Sequence, residues 1–169
     1  PFEHTIPFHE DIVFMDEHLV IADKPHFLPI TPKGRYVQET LLVRLKRRLG
    51  MDTLVPIHRL DPETAGLIAF TVQPHERNVY QALFRERAVH KVYEAVAPLR
   101  ADLALPLNHR SRLVDSAHFM AMEEAVGEPN SETLVELQQA RPDQGLGLYR
   151  LSPHTGKRHQ LRAHMHALS

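Results

Sequence analysis

Cysteine is absent from the 169-residue chain, and its absence removes disulfide scaffolds, thiolate zinc sites, iron–sulfur clusters and cysteine nucleophiles together. Long apolar runs are lacking as well. Stretches such as Leu67-Ile68-Ala69-Phe70 are the size of a core strand, far short of the roughly 20 apolar residues of a membrane-spanning helix. Neither sign of charge dominates: 20 Lys plus Arg stand against 21 Asp plus Glu, a formal charge of -1, which weighs against a broad basic footprint for nucleic acid. The 7 glycines nowhere form Gly-x-x-x-x-Gly-Lys or Gly-x-Gly-x-x-Gly, so no phosphate-cradling loop is encoded. No serine stands in Gly-x-Ser-x-Gly, and Ser111, Ser116, Ser131 and Ser152 have no nucleophile motif around them.

What is present is the composition of a folded domain, 43% hydrophobic and 24% charged. A chain of this length buries enough surface to need no staple, so residues 1–169 are expected to form one soluble, cytoplasmic domain. The start, Pro1-Phe2-Glu3-His4, carries neither an initiator Met nor a signal peptide, and the chain is expected to be a piece of a longer one. Ile12 to Met15 and Leu19 to Ala22 are β-rich runs separated by the polar Asp16-Glu17-His18, which predicts a hairpin. Val37, Leu41, Leu42, Leu45 and Leu49 recur at helical spacing and predict an amphipathic helix over 37–49, stopped by Gly50. A loop, His58 to Gly66, joins Leu54-Val55-Pro56-Ile57 to a buried strand over 67–72. Pro74 opens a helix expected to reach about Arg87 with Val79, Leu83 and Phe84 inward. Alternation predicts a strand over 89–96, and further strands are expected at 134–137 and 146–151. Leu161, Met165 and Leu168 make one stripe of a last helix over 157–168. This mixture of hairpins and interspersed helices fits an α+β (mixed α/β) class better than a doubly wound parallel sheet.

The densest polar cluster is His58-Arg59-Leu60-Asp61-Pro62-Glu63-Thr64. From spacing alone the turn chemistry of Asp61 before Pro62 is the favoured reading; the other is a carboxylate set at a strand end as nucleophile or base, with Arg59 as an anion or nucleic-acid contact. Composition does not choose between the two. Of the 13 histidines, His154, His159, His164 and His166 crowd the C-terminal end, but no His-Glu-x-x-His occurs. His159 and His164 lie about 140 degrees apart around a helix, which favours surface histidines over a zinc site. The near-zero net charge also hides an asymmetry: after Asp143 the chain holds no acid, while Arg150, Lys157, Arg158 and Arg162 all fall there. Arg158, Arg162 and His166 are spaced by four, so one helix face is expected to present positive charge.

Three segments in chain order resemble those of the RluA-type pseudouridine synthases. His58-Arg59-Leu60-Asp61 with Thr64 and Gly66 is similar to the family's His-Arg-Leu-Asp-x-x-Thr-Ser-Gly. Lys91-Val92-Tyr93-Glu94-Ala95 is similar to its Lys-x-Tyr-x-Ala, and Thr155 to Arg162 to its Thr-Gly-Arg-x-His-Gln-Ile-Arg. The likeness begins at the hairpin Asp16 to Pro25, and the three matches span about 105 residues. Two positions depart from the pattern: Ala65 stands in place of Ser, and Lys157 in place of Arg. The family's Gly-, Pro- and Asp-rich segment beyond the last helix has no counterpart before Ser169, so the catalytic domain is expected to lack its C-terminal piece.

The resemblance implies a largely antiparallel mixed β-sheet with flanking helices and loops and an active-site cleft across the sheet. It implies an isomerase that breaks the N1–C1′ bond of a uridine in ribosomal or transfer RNA, turns the base and rejoins it through C5. That chemistry needs no cofactor, metal or membrane. Carried over residue by residue, Asp61 is the essential carboxylate, Arg162 its partner, and Tyr93 the ring that stacks on the base and aids removal of the C5 proton. Arg59 enters the space left by the flipped uridine, His58 holds the loop or the base, and Leu161, Lys157 and Arg158 adjoin the substrate. A catalytically silent RNA-binding module of the same fold is the alternative.

Overall fold

The structure, a computed structural model, describes residues 3–116 and 121–169. The chain gathers into two compact units, Pro1–Ala88 and Val89–Ser169.

In the first unit the predicted hairpin forms from β1 (Asp11–Met15) and β2 (Leu19–Lys24). Asp16 makes the turn: its carboxylate accepts the N–H groups of His18 at 2.8 Å and Leu19 at 2.7 Å. β2 pairs along its whole length with β4 (Gly66–Thr71), and β3 (Val55–Pro56) closes an antiparallel sheet of order β1-β2-β4-β3. β1 is therefore an edge strand, with Val13, Phe14 and Met15 exposed and a bulge between Ile12 and Phe14. Strict alternation turns Val20, Ala22 and Lys24 of β2 to one face, where all three are fully buried. The apolar pair joins Ile68 and Phe70 of β4, Leu28, Leu54, and Leu41 and Leu45 of α1 (Leu41–Leu49) in a single core.

The helix predicted from Val37 begins four residues later. Thr40 caps it, its hydroxyl accepting the Val43 N–H, while the N–H groups of Val37, Gln38 and Glu39 all turn to the Glu3 carboxylate. Apolar spacing extends through Val37, but the amides of Leu41 and Leu42, which a further turn would bond to the carbonyls of Val37 and Gln38, donate instead to the Pro29 carbonyl at 2.8 Å and the Ile30 carbonyl at 2.9 Å. Gly50 ends α1 as expected, in the left-handed region at φ 65. The helix predicted from Pro74 opens as a 3₁₀ turn, Pro74–Glu76, and continues as α2 (Arg77–Arg85). Arg77 reaches the Thr53 carbonyl at 2.9 Å, and Phe84, seven residues on and on the same side, stacks on His58. Val79 and Leu83 lie about 200 and 240 degrees around from Arg77 and face solvent, contrary to expectation.

The second unit is built on an antiparallel sheet of order β5-β9-β8-β6-β7: β5 (Tyr93–Pro98), β6 (Leu107–Asp115), β7 (Met122–Ala125), β8 (Ser131–Arg141) and β9 (Leu146–Pro153). The alternation read over 89–96 holds, although hydrogen-bonded pairing starts only at Tyr93. Tyr93, Ala95 and Ala97 pack on Val135, Tyr149 and Leu151, and Leu161, Met165 and Leu168 of α3 (Gln160–Leu168) pack on the same three, as their stripe predicts. β6 and β7 were not foreseen. The buried pair of β6 is Ser111 and Leu113, so half of its inward signal is a hydroxyl rather than an apolar side chain.

Thr40→Val keeps the volume of a fully buried side chain but removes the cap of α1. The variant is expected to lose about 1 kcal/mol in urea unfolding followed by far-UV circular dichroism.

Candidate active site

The polar loop 58–64 is anchored by three different interactions. Lys24, fully buried on the inner face of β2, donates its ammonium to three carbonyls: Pro25 at 2.9 Å, Leu28 at 2.9 Å and Pro62 at 3.0 Å. Three acceptors match the three protons of the charged form. Burial pushes the Lys24 pKa down to about 8, against the pull of the Glu63 and Asp61 carboxylates. At the loop's start, His58 accepts the Ala69 N–H on Nε2 at 3.1 Å and lies stacked on Phe84, ring centroids 4.7 Å apart. Between these points Leu60 packs against the core, which leaves Arg59 exposed and Asp61 half-buried. The Asp61 carbonyl accepts the Thr64 N–H at 3.1 Å, closing the turn that Asp61-Pro62 predicts. The Ala69 and Phe84 contacts tie the His58 ring to β4 and α2.

The remaining candidates belong to the second unit. Tyr93 opens β5 half-buried against Val135, Tyr149 and Leu151, and Leu161 packs on that same cluster. Arg162 and Lys157 are exposed. Arg158 precedes α3 rather than sharing its face, because the helix starts at Gln160, and it is bound to Asp115. The expected row of Arg158, Arg162 and His166 on one helix face is therefore not formed.

Two residues dock α3: Gln160, which the sequence does not single out, and His164, which its spacing predicts at the surface and which is buried instead. Gln160 donates its amide to the Glu132 carbonyl at 3.1 Å and to Thr133 Oγ1 at 2.9 Å; its Oε1 accepts the Thr155 hydroxyl and the Lys157 N–H. One turn on, His164 is buried with Nδ1 2.9 Å from Thr133 Oγ1 and Nε2 2.9 Å from Ser131 Oγ. One tautomer gives every group in the cluster a partner of the right kind. Ser131 gives its proton to the Ser111 carbonyl and Ser111 gives its own to Glu124, so Nε2 donates and Nδ1 accepts from Thr133. The network therefore wants a neutral imidazole. Burial, aided by nearby His109, pushes the His164 pKa down to about 4, against the Glu124 carboxylate. Burial alone would raise Glu124, but hydrogen bonds from His109 and Ser111 outweigh it and lower its pKa.

Among the described residues, His109, Glu124 and His164 form a group whose ligand atoms lie within 4.8 Å of one another. Both ring nitrogens of His164 are engaged by hydroxyls and His109 Nε2 lies 2.6 Å from Glu124, so the donors already serve one another. Of the C-terminal histidines His154, His159, His164 and His166, only His164 belongs to this group; its other members come from β6 and β7, which spacing along one helix does not reveal.

Comparison with known proteins bears on the same stretch. A family described as RNA pseudouridylate synthase matches residues 18–167. An uncharacterized RNA pseudouridine synthase of Helicobacter pylori strain J99 is 30% identical over 160 residues, covering 92% of this chain and 54% of that protein. The dual-specificity RNA pseudouridine synthase RluA of Vibrio cholerae is 31% identical over 167 residues, covering 94% of this chain and 64% of that protein. Among solved structures, human RNA pseudouridylate synthase domain containing 4 superposes with a TM-score of 0.68 at 25% identity over 90% of this chain and 62% of that one. Human RNA pseudouridylate synthase domain containing 1 gives 0.78 at 21% identity over 99% and 68%, a likeness of fold. The chain spans about half to two thirds of the length of these curated relatives.

Lys24→Met is expected to leave the Pro25, Leu28 and Pro62 carbonyls without their donor. The first unit should lose about 2 kcal/mol, and hydrogen exchange at the Thr64 amide should accelerate more than at amides of β4. His164 gives a pH dependence of defined sign. Its folded pKa lies below the free value of 6.5, so its contribution is complete above pH 6.5 and is lost as pH falls toward about 4. Thermal unfolding across that window should show a loss of about 3 kcal/mol that is missing from His164→Gln.

Proposed function

Because the chain belongs to the RNA pseudouridylate synthase family, we propose that it is the catalytic domain of an enzyme that converts specific uridines of ribosomal or transfer RNA into pseudouridine. The observation that carries this proposal is the His58-Arg59-Leu60-Asp61 loop within the matched residues 18–167, pinned by Lys24, by the Ala69 amide and by Leu60. Such pinning supports a carboxylate that must meet a reacting atom in one fixed geometry. The proposal takes the two units as parts of one catalytic domain.

The reaction is an isomerisation and balances without a co-reactant. The N1–C1′ bond breaks, the base turns, C5 bonds to C1′, the C5 proton leaves and N1 gains one. Asp61 acts on the sugar C1′, on the pyrimidine ring, or by promoting a glycal, three routes that all require its carboxylate. Arg162 supplies the guanidinium counter-charge to Asp61, and Tyr93 stacks on the base and assists loss of the C5 proton. Arg59, exposed beside the pinned Leu60, fills the gap left by the flipped nucleotide. Lys157 and Arg158 contribute charge near the RNA backbone, with Leu161 fixing their segment from the core side.

Asp61→Asn is expected to lower pseudouridine formation at least about a hundredfold while leaving the circular dichroism spectrum and melting temperature close to wild type. The assay is tritium release from RNA transcribed with 5-tritiated uridine. A wild-type chain that binds RNA but releases no tritium would instead identify a silent RNA-binding module of the same fold.

A further inference from the structure

We propose that Phe8 and Phe27 form a stacking platform for an unpaired RNA base beside the loop that carries Asp61, an inference that rests on the RNA-directed function above. Phe27 has a left-handed backbone, φ 68, a region where glycine is relaxed and a bulky side chain is strained. Burial does not compensate for it, because the side chain is 59% exposed. Phe8, also 47% exposed, lies 6.2 Å from it between ring centroids with the two planes tilted by 43°, and the His26 ring is 5.9 Å from Phe27. Strain retained for an exposed aromatic ring points to a use outside the core.

The backbones under these rings are held firmly. Lys24 binds the Pro25 and Leu28 carbonyls on either side of His26-Phe27, and Arg44 binds the Ile6 and Phe8 carbonyls at 2.7 Å each. The platform is thus rigid before any ligand arrives, which reduces the entropy that stacking would otherwise cost. His26 donates Nδ1–H to the Glu63 carbonyl at 2.7 Å, tying the residue before Phe27 to the turn of Asp61. Arg59 fills the gap inside the stack, whereas an unpaired base flanking the site lies on one exposed ring with the other, set at 43°, against its edge, whatever the base identity. A chain of net charge -1 has little nonspecific attraction for phosphates, so a contact made by rings suits it.

The test measures binding of fluorescein-labelled single-stranded oligouridine by anisotropy, together with melting temperature. Phe27→Gly is expected to weaken binding about tenfold while the melting temperature holds or rises, since glycine relaxes at this φ. Phe8→Ser should weaken binding similarly, and Phe8→Trp should restore it. Wild-type affinity in both Phe27→Gly and Phe8→Ser overturns the platform, as does a wild-type chain that does not bind oligouridine. Tritium release separates this from the function above: a wild-type chain that isomerises uridine while both variants bind normally refutes the platform alone. A chain that binds through the two rings but releases no tritium refutes the activity alone.

Discussion

A single ammonium ion, buried under three carbonyls, sets the geometry on which the first unit's polar loops depend. Lys24 belongs to a strand whose alternation delivers its side chain to the core face beside Val20 and Ala22. An amine there has no water, and the surrounding backbone must supply its acceptors. Two come from the segment after β2, at Pro25 and Leu28, and the third from Pro62, 38 residues away in sequence. The charge thereby fastens two irregular loops to each other and to the sheet, which neither loop could do through backbone pairing of its own. The placement of Asp61, and the strained turn at Phe27, both inherit their position from it.

The second unit solves a similar problem with neutral groups. Its apolar cluster is small, centred on Val135, Tyr149 and Leu151, and α3 is held down on its other side by hydroxyls, an amide and an imidazole. Each buried polar group in that chain has a partner at hydrogen-bond distance, which ties α3 to β6 and β8 through directional contacts. Leu161 on one side and Gln160 and His164 on the other fix the rotation of the helix, and with it where Arg162 leaves the surface. Directional bonds specify what a loose apolar contact would leave free.

The strands and helices that were legible in the sequence are those whose burial is apolar and periodic. The β1–β2 hairpin, the Gly50 stop and the Leu161-Met165-Leu168 stripe were all readable, because burial and local chemistry agree there. The start of α1 was hidden, because the amides of Leu41 and Leu42 go to the carbonyls of Pro29 and Ile30, partners that helical spacing does not reveal. β6 was hidden because its inward face carries Ser111, whose partners are a serine, a histidine and a glutamate from other strands and α3. The exposed faces of Val79 and Leu83 were misread because the anchors of α2, Arg77 and Phe84, include a charged residue. Of the candidate site, the His58–Thr64 turn was readable from Asp-Pro alone; its anchoring by Lys24 was not, since a lysine in a strand reads as solvated.

The bulge in β1 bears on the behaviour of the chain in concentrated solution. An outer strand carrying Val13, Phe14 and Met15 at the surface is the kind of edge on which another molecule's strand adds and fibrils start. The irregularity between Ile12 and Phe14 breaks the even spacing of its outward amides and carbonyls within a strand of only five residues. An incoming strand would find no more than a short stretch in register on either side of the kink, so this sheet carries its own protection against edge-to-edge growth.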